Sequence, residues 1–295
     1  MGAIPGLVGK PDLLVVDEHA HNSIQEGAKI ARANGTRLAL FSHCNPIDLE
    51  RVLKAAGKYR IALVAIDGVY SMSGALPPLK ELDEVCRRYN AILYVDDAHG
   101  TGVLGRKGRG TVLDALGNYD NALVIGSLSK AFSALGGFIG CSRELKRLLK
   151  MRSNTYIFGG PVAPPYLEAV CAVCDILMSD EYELLAARLR RNLEQLTRGL
   201  VKLGLAVLGG ETPIVSVLVG DEAETLRAGS FLFERGFYVQ SVTFPAVPYH
   251  AGVLRIQVNA NHRPESIDAL IGAVAELHRL RPLPGPDQMP RPLAA

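Results

Sequence analysis

Five short runs of almost uninterrupted apolar residues, spaced by amphipathic stretches, constrain this chain more than any other feature. They cover residues 13–16, 37–41, 61–66, 91–95 and 123–125. A strand with one wet face alternates apolar and polar residues, whereas an unbroken apolar run is covered on both faces, as in a parallel sheet. Between the runs, residues 23–33, 46–56 and 78–89 carry apolar side chains at helical spacing. The β-α-β order predicts an α/β domain with helices on both faces of a mainly parallel sheet. In such sheets ligands gather at the carboxyl ends of the strands. The pattern changes near residue 164. Helical spacing over 165–178 and 181–203 leads to a strand at 214–219, a helix at 222–235, strands at 238–242 and 253–258, and a helix at 264–280. These readings predict a large domain over 1–175, a smaller C-terminal α+β domain over 176–282, and a proline-rich tail over 283–295 without regular structure.

Composition narrows the function classes. Hydrophobic residues make up 48% and charged residues 21%, the balance of a globular protein. With 32 basic against 30 acidic residues, the net charge of +2 supplies no field for nucleic acid or a membrane surface. Trp is absent, no apolar run approaches bilayer length, and the apolar N-terminus is broken by Pro5 and Pro11. A cytoplasmic protein with no membrane span and no nucleic-acid partner is expected. The five cysteines, an odd number, read as reduced thiols. Cys171 and Cys174 form a C-x-x-C in an apolar stretch, where packed core thiols are expected rather than a redox or metal pair.

Chemistry collects at the strand ends. Residues 91–95 lead into Asp96-Asp97-Ala98-His99-Gly100, residues 123–125 into Gly126-Ser127-Leu128-Ser129-Lys130, and residues 61–66 into Asp67-Gly68-Val69-Tyr70-Ser71-Met72. An acid, an imidazole, a hydroxyl and a lysine at successive strand ends suit a pyridine-ring cofactor held by lysine. The carboxylate keeps the ring nitrogen protonated, the amine binds the cofactor carbonyl, and the hydroxyl and imidazole hydrogen-bond the ring oxygen. Each residue has a plainer use: a loop lysine is usually solvated, and Asp96 or Asp97 can cap a helix or turn. Pattern alone does not identify the cofactor. Gly100-Thr101-Gly102-Val103-Leu104-Gly105 matches a dinucleotide fingerprint, but it follows an intervening DDAH and precedes a poor helix start. Ser127-x-x-Lys130 lacks the companion motifs of a serine acyl-enzyme. His19 and His21 lack the spacing of a zinc site, so no metal is expected.

DEHAHNSIQEG, DGVYSMSGALPPL, LYVDDAHGTGVLGRKGRG, GSLSKAFSALGG and GVLRIQVNANH, in that order, resemble the successive motifs of the α-oxoamine synthases. These are fold-type I transferases that use pyridoxal 5′-phosphate (PLP) to condense a small amino acid with an acyl-CoA. The resemblance implies PLP as cofactor, an amino acid and an acyl-CoA as substrates, and a homodimer. It implies that Lys130 is the Schiff-base lysine, Asp96 the partner of the pyridinium nitrogen, and His99 the donor to the ring oxygen. His21 then matches the imidazole on the ring face, Ser71 the serine near the ring oxygen, and Ser127 the phosphate contact. Arg255 matches the arginine that clamps the substrate carboxylate, a task that suits a planar guanidinium. Lys130, His99 and Asp96 are the expected catalytic residues. The implied reaction joins glycine, alanine or serine to an acyl-CoA, releasing CoA and usually CO2. An aminotransferase of the same fold, or a chain without activity, are the alternatives. Several positions depart from the pattern: Asp67 stands for Glu, Ser73 for Asp, Cys44-Asn45 for Asn-Asp, and Gly159-Gly160 for a hydroxyl pair. The resemblance also implies roughly a hundred preceding residues with a loop that cradles the cofactor phosphate at a helix N-terminus.

Overall fold

The computed structural model describes residues 1–290. It divides into two compact units: Met1–Tyr70 with Pro77–Ser179, and Ser71–Leu76 with the chain from Asp180 onward. The first unit contains α1 (Ala3–Leu7), β1 (Leu13–Asp17), α2 (Asn22–Ala33), β2 (Arg37–Phe41), α3 (Pro46–Ala55), β3 (Ala62–Asp67), α4 (Leu79–Arg88), β4 (Ala91–Asp96), α5 (Thr111–Leu116), β5 (Ala122–Ser127), β6 (Gly137–Gly140), α6 (Arg143–Arg152), α7 (Asn154–Ile157) and α8 (Pro164–Met178). Its sheet has the order β2-β1-β3-β4-β5-β6. All neighbours are parallel except β6, which runs antiparallel to β5.

Two apolar layers explain the unbroken runs. Leu13, Val15, Ala62, Val64, Ile66, Leu93 and Val95 point to one face, where Leu49 and Leu53 of α3 and Leu82 and Cys86 of α4 cover them. Their neighbours Leu14, Val16, Leu63, Ala65 and Tyr94 point to the other face, against Ile4, Ile24, Ala28 and Leu149. Every residue of β1 and of β3 is buried, as a parallel strand covered on both faces requires. Helix α3 begins where the sequence supplies a cap. Asn45 accepts from Asp48 N–H at 3.0 Å and is followed by Pro46, and α4 ends with Arg87 and Arg88 at its negative end.

The second unit contains α9 (Glu181–Lys202), β7 (Val207–Gly209), β8 (Ile214–Gly220), α10 (Glu222–Phe233), β9 (Gln240–Val242), β10 (Gly252–Gln257) and α11 (Pro264–Leu280). Its antiparallel sheet, β7-β8-β10-β9, packs with Leu193, Leu196 and Leu200 of α9 and Leu270, Val274 and Leu277 of α11. The segment Ser71–Leu76 belongs here because Ser216 Oγ donates to Met72 C=O at 2.7 Å and Thr212 Oγ1 to Gly74 C=O at 3.0 Å.

Three expectations are corrected. The units part at Ser179, not at residue 175, because α8 runs unbroken to Met178. Cys171 and Cys174 are exposed rather than packed, since α8 buries none of its residues. The tail is not structureless throughout: Leu283 is buried in the core of the second unit, and Pro284 C=O accepts from Ala206 N–H at 2.9 Å. Residues 291–295, the end of the expected tail, lie outside the described residues. Among the described residues no helix is long and apolar enough to cross a membrane. Leu283→Ala is expected to lower unfolding stability by about 2–3 kcal/mol, as deleting a buried leucine does. A tail that did not pack would leave the chemical denaturation midpoint of the variant unchanged.

Candidate active site

The sheet of the first unit reverses its winding between β1 and β3, since β2 lies on one side of β1 and every later strand on the other. The carboxyl ends of strands at such a reversal form a natural binding crevice. Asp67 and Asp96 end β3 and β4 side by side in register. His21 follows β1, Ser127 closes β5, and Lys130 lies three residues beyond on an exposed turn.

Alternation within a strand separates the two acids at the end of β4. Asp96 is half-buried and faces the strand ends, where Oδ1 accepts from Ala98 N–H at 3.2 Å and Oδ2 from Ser23 Oγ at 3.5 Å. Asp97 is fully buried on the opposite side. Its Oδ2 accepts from Thr111 N–H at 2.9 Å and its Oδ1 from Thr111 Oγ1 at 2.7 Å, which ties the start of α5 to the sheet. A Cβ on Gly100 or Gly110 would stand 2.1 or 1.9 Å from an Asp97 oxygen, so both close approaches require glycine. The plain capping role therefore belongs to Asp97.

His21 is the N-cap of α2. Its ring Nδ1 lies 2.9 Å from Ser23 Oγ, and its backbone N–H is shared by both oxygens of Asp67 at 3.1 Å. Burial pushes the Asp67 carboxyl well above the usual range, and the charges of Asp96 and Asp17 raise it further; the His21 N–H and the Lys130 ammonium oppose this. The Lys130 field thus reaches Asp67, and His21, Ser23, Asp67, Asp96 and Lys130 form one neighbourhood. Ser127 Oγ pairs with Ser129 Oγ at 2.7 Å on the turn that carries Lys130. His99 sits half-buried in the loop after Asp96. Ser23 and Asp67 escaped the sequence reading as linking groups. Ser23 carried no signal of its own, whereas Asp67 was visible as a departure from the motif.

The other two expected residues lie in the second unit. Arg255 of β10 is only 7% exposed; its Nε donates to Ser71 C=O and its Nη1 to Gln240 Oε1 at 3.0 Å. Burial holds its pKa below the usual guanidinium value. Among the described residues no carboxylate forms an ion pair with it. A cavity of about 460 Å³ opens beside it, lined by Tyr238, Gln240, His262, Leu196 and Ile267 of the same unit.

The donor set fits PLP. An amine can bind the cofactor aldehyde, a half-buried carboxylate can pair with the ring nitrogen, and the imidazoles of His21 and His99 and nearby hydroxyls are available to the ring and its oxygens. Comparison with known proteins agrees. The family model for class I and II aminotransferases matches residues 3–274. An 8-amino-7-oxononanoate synthase of Alkaliphilus oremlandii is 38% identical over 92% of this chain and 67% of its own length. A Bacillus subtilis enzyme of that name is 33% identical over 92% of the chain and 68% of its own length. A solved serine palmitoyltransferase from S. paucimobilis, bound to a PLP–myriocin aldimine, superposes with a TM-score of 0.88 at 28% identity, covering 95% of this chain and 69% of that one. The chain belongs to the class I and II aminotransferase family and, within it, to the α-oxoamine synthases, PLP-dependent acyltransferases of fold type I. It spans about two thirds of the length of these relatives.

Burial also pushes the Asp97 carboxyl up, from 3.8 to about 6, despite the bonds from Thr111. A carboxyl raised in the folded state contributes stability that is present below the unfolded value and lost as pH rises through the folded one. Relative to Asp97→Asn, the unsubstituted chain is expected to lose up to about 3 kcal/mol between about pH 4 and pH 6, read from urea midpoints at each pH. A flat difference across that window would remove Asp97 as the titrating group.

Proposed function

We propose that this chain condenses a small amino acid with an acyl-CoA, releasing CoA and CO2, and that alanine is the amino acid. The observation that carries this reading is the placement of Asp96 at the end of β4 and of Lys130 three residues beyond the adjacent β5, inside a sequence that matches the α-oxoamine synthases along most of its length. The name 8-amino-7-oxononanoate describes a nine-carbon acid whose amine carbon bears a methyl group. Such a carbon derives from alanine after loss of its carboxyl group, and the remaining seven carbons from a dicarboxylic acyl donor.

PLP bound here supplies an electron sink for the pair released at the amino acid α-carbon. The residues of the chain do the rest. Lys130 Nζ anchors the cofactor and then takes the α-proton of the substrate. The Asp96 carboxylate keeps the ring nitrogen protonated, and Ser23 Oγ steadies that carboxylate. His21, with its backbone fixed by Asp67 and its ring by Ser23, covers the ring face. His99 and Ser71 donate to the ring oxygen, and Ser127 to the phosphate. Among the described residues Arg255 has no carboxylate partner of its own, and it receives that of the amino acid.

Purified chain mixed with PLP is expected to show the visible absorbance of a lysine-bound cofactor, and Lys130→Ala to lack it. Survival of the band in the variant would exclude Lys130. With an acyl-CoA present, CoA release is expected to depend on alanine, more than on glycine or serine, and to leave 2-oxo acids unaminated. Arg255→Lys is expected to raise KM for the amino acid about ten- to a hundredfold, the worth of a charge-assisted hydrogen bond, with little change in KM for the acyl-CoA. Equal effects on both constants would detach Arg255 from the carboxylate.

A further inference from the structure

A second polar cluster lies at the ends of β1 and β2. His43, two residues past β2, has a side-chain exposure of 8%, and its Nδ1 stands 3.0 Å from Oδ1 of the fully buried Asp17. Across the ring, Nε2 is 3.6 Å from Cys44 Sγ. His19 stacks on the His43 ring at 4.3 Å, and Tyr70 meets it edge-on at 4.2 Å. Among the described residues the buried Tyr70 hydroxyl has no partner in hydrogen-bond geometry, although it lies close enough to Asp17 and Cys44 to interact with both. Buried polar atoms nearly always have a partner, so an orphan hydroxyl signals a missing one. Cys44 also holds φ at 51°, the left-handed region in which asparagine is enriched and other side chains are uncommon. None of these groups has a place in the reaction above.

We propose that Cys44 Sγ and His43 Nε2 bind one thiophilic divalent cation, with zinc the best match. Zinc–sulfur and zinc–nitrogen bonds of about 2.3 and 2.0–2.1 Å at a tetrahedral angle place the two ligand atoms about 3.6 Å apart. That is the separation found here. The Asp17 carboxylate holds the proton on Nδ1, which leaves the Nε2 lone pair for a metal and reproduces the carboxylate–histidine–metal arrangement. Asp17 itself is engaged by the N–H groups of His19 and Cys44, so it orients the ligand rather than completing the shell. Cys44 binds as the thiolate and its proton passes to solvent. Water fills the remaining positions and is the partner that the Tyr70 hydroxyl lacks. A thiol-to-imidazole hydrogen bond also accounts for the 3.6 Å contact, but it leaves that hydroxyl unpartnered.

The test uses cadmium as a spectroscopic stand-in for zinc, in the full chain carrying Cys171→Ser and Cys174→Ser, because those exposed thiols bind metals on their own. An ultraviolet thiolate-to-metal band saturating at one equivalent, reversed by zinc, is expected. Adding Cys44→Asn should abolish it while leaving the metal-free melting temperature unchanged or higher, since asparagine tolerates the left-handed backbone. Cys44→Ser serves as the second variant, with folding checked by circular dichroism. The proposal is overturned if no band forms in the Cys171→Ser/Cys174→Ser chain. It is equally overturned if the band persists when a folded Cys44 variant is titrated.

Discussion

The pair of hydrogen bonds from Thr111 to the buried Asp97 carboxylate holds the region around the site together. They join the start of α5 to the end of β4, and Gly100 and Gly110 must lack side chains to let the backbone close around them. Because Asp97 is pinned inside, its neighbour Asp96 is turned outward to the strand ends by the period-two geometry of the strand. The orientation of the residue proposed to meet the cofactor ring is thus set by a neighbour on the opposite side.

Charge is arranged around this anchor at some cost. Asp17, Asp67 and Asp96 end three adjacent strands, and the charges of Asp96 and Asp17 add to the cost that burial sets on ionising Asp67. Asp17 answers differently. Burial alone would raise it, but the bonds from His43 and the Cys44 N–H hold it below the ordinary carboxylate range. Asp67 instead relies on a single N–H from His21 and on the Lys130 field. A buried carboxyl pushed well above its ordinary range within the field of a lysine is the kind of arrangement that functional sites collect.

Much of this was legible in the sequence because burial on both faces of a strand leaves an unmistakable pattern. All five apolar runs became strands of one sheet, with bounds shifted by a residue or two at most. What escaped detection was short or weakly patterned. The edge strand β6, only four residues and bounded by glycine, left no apolar run to read, and the cysteines of α8 read as core because its apolar side chains have helical spacing, although only Val170, Val173 and Leu177 pack, half-buried, against Leu128, Phe132 and Ala134. The tail looked structureless because proline content says nothing about a single leucine that finds a pocket. At the site, the residue types were readable but their wiring was not. Nothing in the sequence indicates that Ser23 reaches Asp96, 73 residues away, or that Asp67 holds the His21 backbone.

By itself the sequence determined the class of fold, the family and its PLP cofactor, because strand periodicity and an ordered set of motifs are local properties. Tertiary structure alone decided which of two adjacent aspartates faces the site and which supports it. It alone decided that Arg255 is a buried cation without a carboxylate partner among the described residues, and that His43 is fixed between Asp17 and Cys44. Those outcomes depend on hydrogen bonds and desolvation between residues far apart in the chain, which no local pattern encodes.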